Sequence, residues 1–138
     1  MKIFPSVQMN QQLELQAPLG QFGERPKYEI GLILKNNASD QIILPGGSDF
    51  KIFFYSNQDG WQEIRNLYSR NGREEILDPK ASEWWKSSTQ IYVMPDPKET
   101  EGKDDFRVVV LGFVYQNGKA TNTQVGAFLD VKLSDFVK

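Results

Sequence analysis

Trp84 and Trp85 stand side by side in Ser82-Glu83-Trp84-Trp85-Lys86, and Trp61 directly follows an Asp59-Gly60 pair. These are the residues whose type and placement best suit a contact chemistry. A solvent-exposed indole stacks on a sugar ring or fills a pocket on a protein, and tryptophan is enriched among binding hot spots. Adjacent side chains point about 100° apart on a helix and to opposite faces on a strand, so a core readily takes only one of Trp84 and Trp85. The other is then an exposed anchor, with Trp61 at a hairpin end as a further binding candidate. The competing expectation is that all three cover the rim of the core.

Other chemistry is sparse, because the chain has no histidine and no cysteine. Ser-His-Asp and Cys-His arrangements cannot be built, and zinc lacks its preferred ligands. Pro45-Gly46-Gly47-Ser48 has neither the lysine nor the helix of a phosphate-cradling loop. The 18 acidic residues must include pairs at glycosidase spacing by chance, yet none is set in the apolar context that marks a catalytic acid. Asp96, Glu99, Glu101, Asp104 and Asp105 crowd one segment with Lys98 and Lys103 between them. Calcium takes oxygen-rich loops of this kind, but the spacing matches no EF-hand, and a solvated acidic loop is the expectation. We therefore expect a protein that is not an enzyme, with no cofactor and no metal.

The 138 residues suit one domain spanning 1–138, large enough for a core without disulfides, with 1–11 as a polar, partly frayed lead-in. Net charge is −2 and the basic residues are scattered among acids. The basic stripe of a nucleic-acid binder is missing, as is a polybasic membrane patch. No apolar run approaches the ~20 residues of a membrane span. Met1-Lys2-Ile3-Phe4-Pro5 resembles the start of a signal peptide, but Gln8, Asn10, Gln11 and Gln12 arrive before an apolar region develops. The strand pattern described next points to an extracytoplasmic location, the periplasm or cell surface, with the cytoplasm as the alternative.

The elements that must position these residues are mostly strands. Leu13 and Leu15 alternate with polar neighbours, and Tyr28, Ile30, Leu32 and Leu34 share one face of a half-buried strand over 27–36. Asn36 to Asp40 is a turn cluster, Gln41 to Leu44 a short strand, and Phe50 to Tyr55 an apolar run expected to be covered on both faces. Asp59-Gly60 predicts a two-residue hairpin turn between Tyr55 and Ile64. Asn71-Gly72 predicts a second, joining Leu67-Tyr68 to Ile76-Leu77. Asp78-Pro79 reads as an N-cap followed by a first helical residue, so one or two helical turns are expected over 80–86. Ile91 to Met94 is another strand, closed by Pro95 and Pro97.

Asn117-Gly118 gives the sharpest expectation. As the centre of a two-residue turn it pairs Val110 with Val125, Val108 with Ala127 and Phe106 with Leu129, apolar against apolar. Val109, Leu111, Phe113 and Tyr115 make the opposite face apolar too, which marks this strand as central or covered. Seven to nine short strands with close turn signals and one minor helix predict an all-β fold, an antiparallel β-sandwich, with a barrel as the alternative.

Phe22-Gly23-Glu24 followed by Tyr28 to Asn37 resembles the immunoglobulin-like sandwich modules of bacterial secreted proteins and lipoproteins. With Gln41 to Leu44, Ser48 to Ile52 and Asp59-Gly60-Trp61, residues 22–61 are also similar to the Bacillus intracellular proteinase inhibitor family. The second half of the chain departs from any such inhibitor pattern. The resemblance implies a sandwich fold and, for function, a non-enzymatic binding module of an envelope or secreted protein that meets a protein partner through loops or a sheet edge. A proteinase inhibitor using 66–73 or 46–49 as its exposed loop, and a carbohydrate-binding module using the tryptophans, are the alternatives.

Overall fold

The computed structural model describes residues 8–16, 29–45, 51–56, 60–67, 73–100 and 103–132, with 51–56 described for its backbone only. The architecture is mostly β: two sheets of mainly antiparallel strands and two helices of one turn each. The smaller sheet has β2 (Leu13–Gln16) and β8 (Ser88–Val93) on either side of β3 (Ile30–Asn36). Period-two alternation places Leu13, Leu15, Ile30, Leu32, Leu34, Ile91 and Val93 inward, all buried. Glu14, Gln16, Gly31, Ile33, Lys35, Ser88, Gln90 and Tyr92 form the opposite face.

The larger sheet is built around β9 (Asp105–Gln116), which pairs along its length with β10 (Lys119–Lys132). Its other side is shared between β5 (Lys51–Ser56), opposite the first half, and β4 (Gln41–Leu44), opposite the second. Each brings a flanking strand, β6 (Gly60–Ile64) beside β5 and β7 (Glu75–Leu77) beside β4. A strand β1 (Gln8–Met9) adds to β10 in parallel. Ile42, Leu44, Phe106, Val108, Val110, Val125 and Ala127 meet the inward residues of the small sheet in one core. Among the described residues the result is two sheets around one core; each fully buried aliphatic side chain contributes roughly 1.5–3 kcal/mol.

The central position expected of the strand through Val109 is what forms, and Val109 is buried on the face away from the core. Several other expectations are corrected. Asn117 and Gly118 have φ of 54° and 74°, as a two-residue turn of mirror-image type requires, and Lys119 pairs with Gln116. Thr121 to Thr123 then sit opposite Val114 alone, so a two-residue bulge shifts the register and Val110 pairs with Ala127, Val108 with Leu129 and Phe106 with Val131. Because the shift is even, every side chain keeps its face. The Thr121 hydroxyl donates to the Val114 carbonyl at 2.7 Å and accepts the Thr123 N–H at 3.2 Å, which gives the interrupted ladder new partners.

Gly60 has φ 72° and pairs with Ser56, so the β5–β6 connection is residues 57–59 and not a two-residue Asp59-Gly60 turn. Asn71-Gly72 lies outside the described residues. Ile76 and Leu77 pair with Ile43 and Ile42 of β4, and the Leu67 N–H donates to the Met94 carbonyl; Tyr68 lies outside the described residues. The helix expected after Asp78-Pro79 is displaced. The Asp78 carboxylate accepts the Gln41 amide at 2.9 Å, Pro79 to Ser82 close a turn, and helix α1 begins only at Trp84 and ends at Ser87. The working Asp-Pro cap is Asp96-Pro97: the Asp96 carboxylate accepts the Lys98 N–H at 3.0 Å and opens helix α2 (Pro97–Thr100). Of the expected lead-in, residues 1–7 lie outside the described residues, Gln8 and Met9 form β1, and the Asn10 side chain accepts the Phe128 N–H. The double coverage expected of the 50–55 run concerns side chains outside those described.

Candidate binding site

Helix α1 holds the adjacent tryptophans outside the core. Ser87 is buried, and its hydroxyl donates to the Glu83 and Trp84 carbonyls; the Ser88 hydroxyl also donates to Trp84. The Asp78 N–H donates to the Lys86 carbonyl at 2.9 Å, which ties the far end of the turn to the rest of the fold. The turn is thus braced by its own serines and tied to the fold through Lys86. Trp84 is 72% exposed and Trp85 59%, so neither ring enters the core. The rings meet edge to face, centroids 6.0 Å apart and planes at 87°, a favoured aromatic geometry.

Beside them, the outward face of the small sheet supplies three ordered rows. Gln16, Ile33 and Gln90 lie across the three strands in register, and Glu14, Lys35 and Ser88 form the next row. Tyr92 lies opposite Gly31, which has no side chain to cover it. With Trp84 and Trp85, the Gln16, Ile33, Lys35, Ser88, Gln90 and Tyr92 side chains line an open groove of about 580 Å³, within the range of small-ligand sites. Its lining combines indole, phenol and aliphatic surface with side-chain amides and hydroxyls. The Tyr92 hydroxyl donates to the Gln90 amide oxygen at 3.0 Å, and the Gln16 amide donates to the Glu14 carboxylate, so the polar groups are oriented before any ligand arrives.

No protein-family model matches this chain, and no curated protein matches it. The groove must therefore be read from its own chemistry.

Trp61 is not brought to this groove. It lies on β6 of the large sheet, where the Arg107 guanidinium sits 4.2 Å from its ring centroid. The same guanidinium lies 4.2 Å from the Phe128 ring and makes two hydrogen bonds, of 2.7 and 3.0 Å, to the Asp130 carboxylate. One indole face is thus occupied by a cation. Composition gave no signal for this stack, which needs the β9–β10 and β5–β9 registers.

The acidic segment is also spent on structure. Asp96 caps α2, Glu99 accepts the Arg65 N–H at 2.7 Å, and Asp105 pairs with Lys132 at 2.8 Å. Among the described residues no group of three acids converges on a metal position. Of the two loops considered for proteinase inhibition, 46–49 lies outside the described residues, and of 66–73 only Asn66, Leu67 and Arg73 fall within them. The Asn66 side chain accepts the Met94 N–H at 3.0 Å.

Proposed function

We propose that this chain is a non-enzymatic, immunoglobulin-like binding module of a bacterial envelope or secreted protein, and that it meets its ligand at the Trp84–Trp85 groove. One observation carries the reading: two adjacent indoles stand in solvent on a turn that the Asp78–Lys86 hydrogen bond ties to the rest of the fold. Exposing two such rings forfeits the burial each would gain in a core. Large exposed aromatics rimmed by polar groups mark contact surfaces. The extracytoplasmic placement and the immunoglobulin-like assignment rest on the strand pattern and on the resemblance of residues 22–61, supported by the two-layer architecture.

The test is co-sedimentation of the purified chain with insoluble bacterial envelope, before and after exhaustive protease treatment of that envelope. Sedimentation by the parent chain, lost in the W84A/W85A double variant, supports the reading. Sedimentation indifferent to both tryptophans overturns it. A protein partner, the occupant expected from the sequence, predicts that protease abolishes binding; a glycan predicts that binding survives.

A further inference from the structure

We infer that the groove takes a neutral oligosaccharide, an inference that rests on the binding-module reading above and names the ligand class of that same site. A pyranose ring presents apolar C–H faces and a rim of hydroxyls that both donate and accept. Its complement is aromatic surface next to side-chain amides, which carry two donors and an acceptor each. The groove has that composition: Trp84, Trp85 and Tyr92 supply aromatic surface, and Gln16 and Gln90 flank Ile33 across the three strands.

Charge narrows the class. Lys35 is the one cation among the described residues lining the groove, no carboxylate lines it, and Lys35 faces Glu14 in the strand register. A polyanion would find one cation already beside a carboxylate. An amphipathic helix or a hydrophobic protein anchor is also poorly matched, since the apolar floor is a single isoleucine between two amides. Strand addition would use the outer edge of β2 or β8, whereas these side chains project from the face of the sheet.

The perpendicular indoles add a further constraint. With planes at 87°, the two rings cannot both lie flat against one sugar. One stacks, and the other closes that position with its edge. The groove is open, so it can take a chain of sugars longer than the one ring that stacks.

The experiment titrates the intact chain with hexasaccharides of β-1,4-glucose, β-1,4-N-acetylglucosamine, β-1,4-mannose and galacturonate, read by tryptophan fluorescence and calorimetry. At least one neutral hexasaccharide should bind saturably. Affinity should fall tenfold or more in W84A/W85A and severalfold in Gln90→Leu, an exposed substitution that keeps the fold should the double variant lose it. Single W84A and W85A variants should differ in effect, since only one ring stacks. No saturable binding of any neutral hexasaccharide, tighter binding of hexagalacturonate, or binding indifferent to the Trp84, Trp85 and Gln90 changes overturns the inference. Where sugars fail but tryptophan-dependent envelope sedimentation persists and is protease-sensitive, the ligand class is wrong and the binding module stands. Where both fail, both are wrong.

Discussion

The side-chain amide of Asn36 donates to the main-chain carbonyl of Asp78 at 3.0 Å, joining the end of β3 in the small sheet to the segment leaving β7 in the large one. Asn36 is fully buried, and the same amide nitrogen also reaches the Asp40 and Leu77 carbonyls while its oxygen accepts the Ala38 N–H at 2.8 Å. One side chain thus closes the Asn36 to Asp40 turn and fastens both layers. It also fixes Asp78, whose N–H holds the carbonyl of Lys86 beside the exposed tryptophans.

Asn36→Ala should therefore cost about 2–4 kcal/mol, because it strips partners from buried backbone groups instead of merely deleting a contact. Asn36→Asp should cost more at neutral pH: it keeps the acceptor for Ala38 but turns a buried carboxylate toward three carbonyl oxygens. Urea denaturation of the three proteins checks both the size and the order. A loss below about 1 kcal/mol for either variant would show that water replaces this side chain easily.

Two glycines should fail for different reasons. A Cβ on Gly112 would stand 2.9 Å from the Ile43 carbonyl oxygen, a main-chain atom of the neighbouring strand, so Gly112→Ala should destabilise by about 1–3 kcal/mol. Gly118 has open space around it but a φ of 74°, so Gly118→Ala should cost about 1 kcal/mol through backbone strain alone. Gly118→Asn should recover much of that loss, because asparagine tolerates this region, whereas Gly112→Asn should be worse than Gly112→Ala. Thermal melts of the four variants separate steric from conformational cost.

Thr121→Val removes the hydroxyl that donates to Val114 and accepts from Thr123 while leaving the side-chain volume nearly unchanged. Both groups belong to the bulge and are partly exposed, so the cost should be about 1 kcal/mol. Amide exchange should quicken at Thr123 and stay slow at Val110 and Ala127, whose pairing lies beyond the bulge. Quickened exchange throughout β9 would mean that the bulge, and not the apolar faces, sets the register.

What the sequence showed most clearly was which face each residue takes. Leu13, Ile30, Leu32, Leu34, Val108, Val110 and Ala127 are buried as their alternation predicts, because side-chain direction is a local property of the backbone. Partnership was less legible. An even slip at Thr121 to Thr123 leaves the alternation intact, so no apolar pattern could reveal that Val110 meets Ala127. The two Asp-Pro pairs carry the same local helix signal, and only the distant Gln41 amide, which takes the Asp78 carboxylate, decides that Asp96 is the cap. In the groove, Trp84 and Trp85 were visible as types. Gln16, Gln90 and Tyr92 become their neighbours only through the β2–β3 and β3–β8 pairings, which join residues far apart in the chain.

The Arg107 stack offers a test of how much a surface cluster stabilises the large sheet. The Arg107 side chain is 16% exposed but that of Asp130 is 57% exposed, so solvent screens the ion pair and a double-mutant cycle across it should give no more than about 1 kcal/mol. The rings matter more to Arg107 than the carboxylate does, because a planar guanidinium can lie between Trp61 and Phe128 and a compact ammonium cannot cover both. Arg107→Lys should therefore destabilise more than Asp130→Asn, and raising the salt concentration should leave that difference largely intact while shrinking the ion-pair coupling. It should also change the emission of Trp61 without affecting the binding proposed at Trp84 and Trp85, since Trp61 lies on the large sheet and the other two on helix α1 beside the small one. If Asp130→Asn proves the costlier change, the carboxylate and not the paired rings is what holds Arg107 in place.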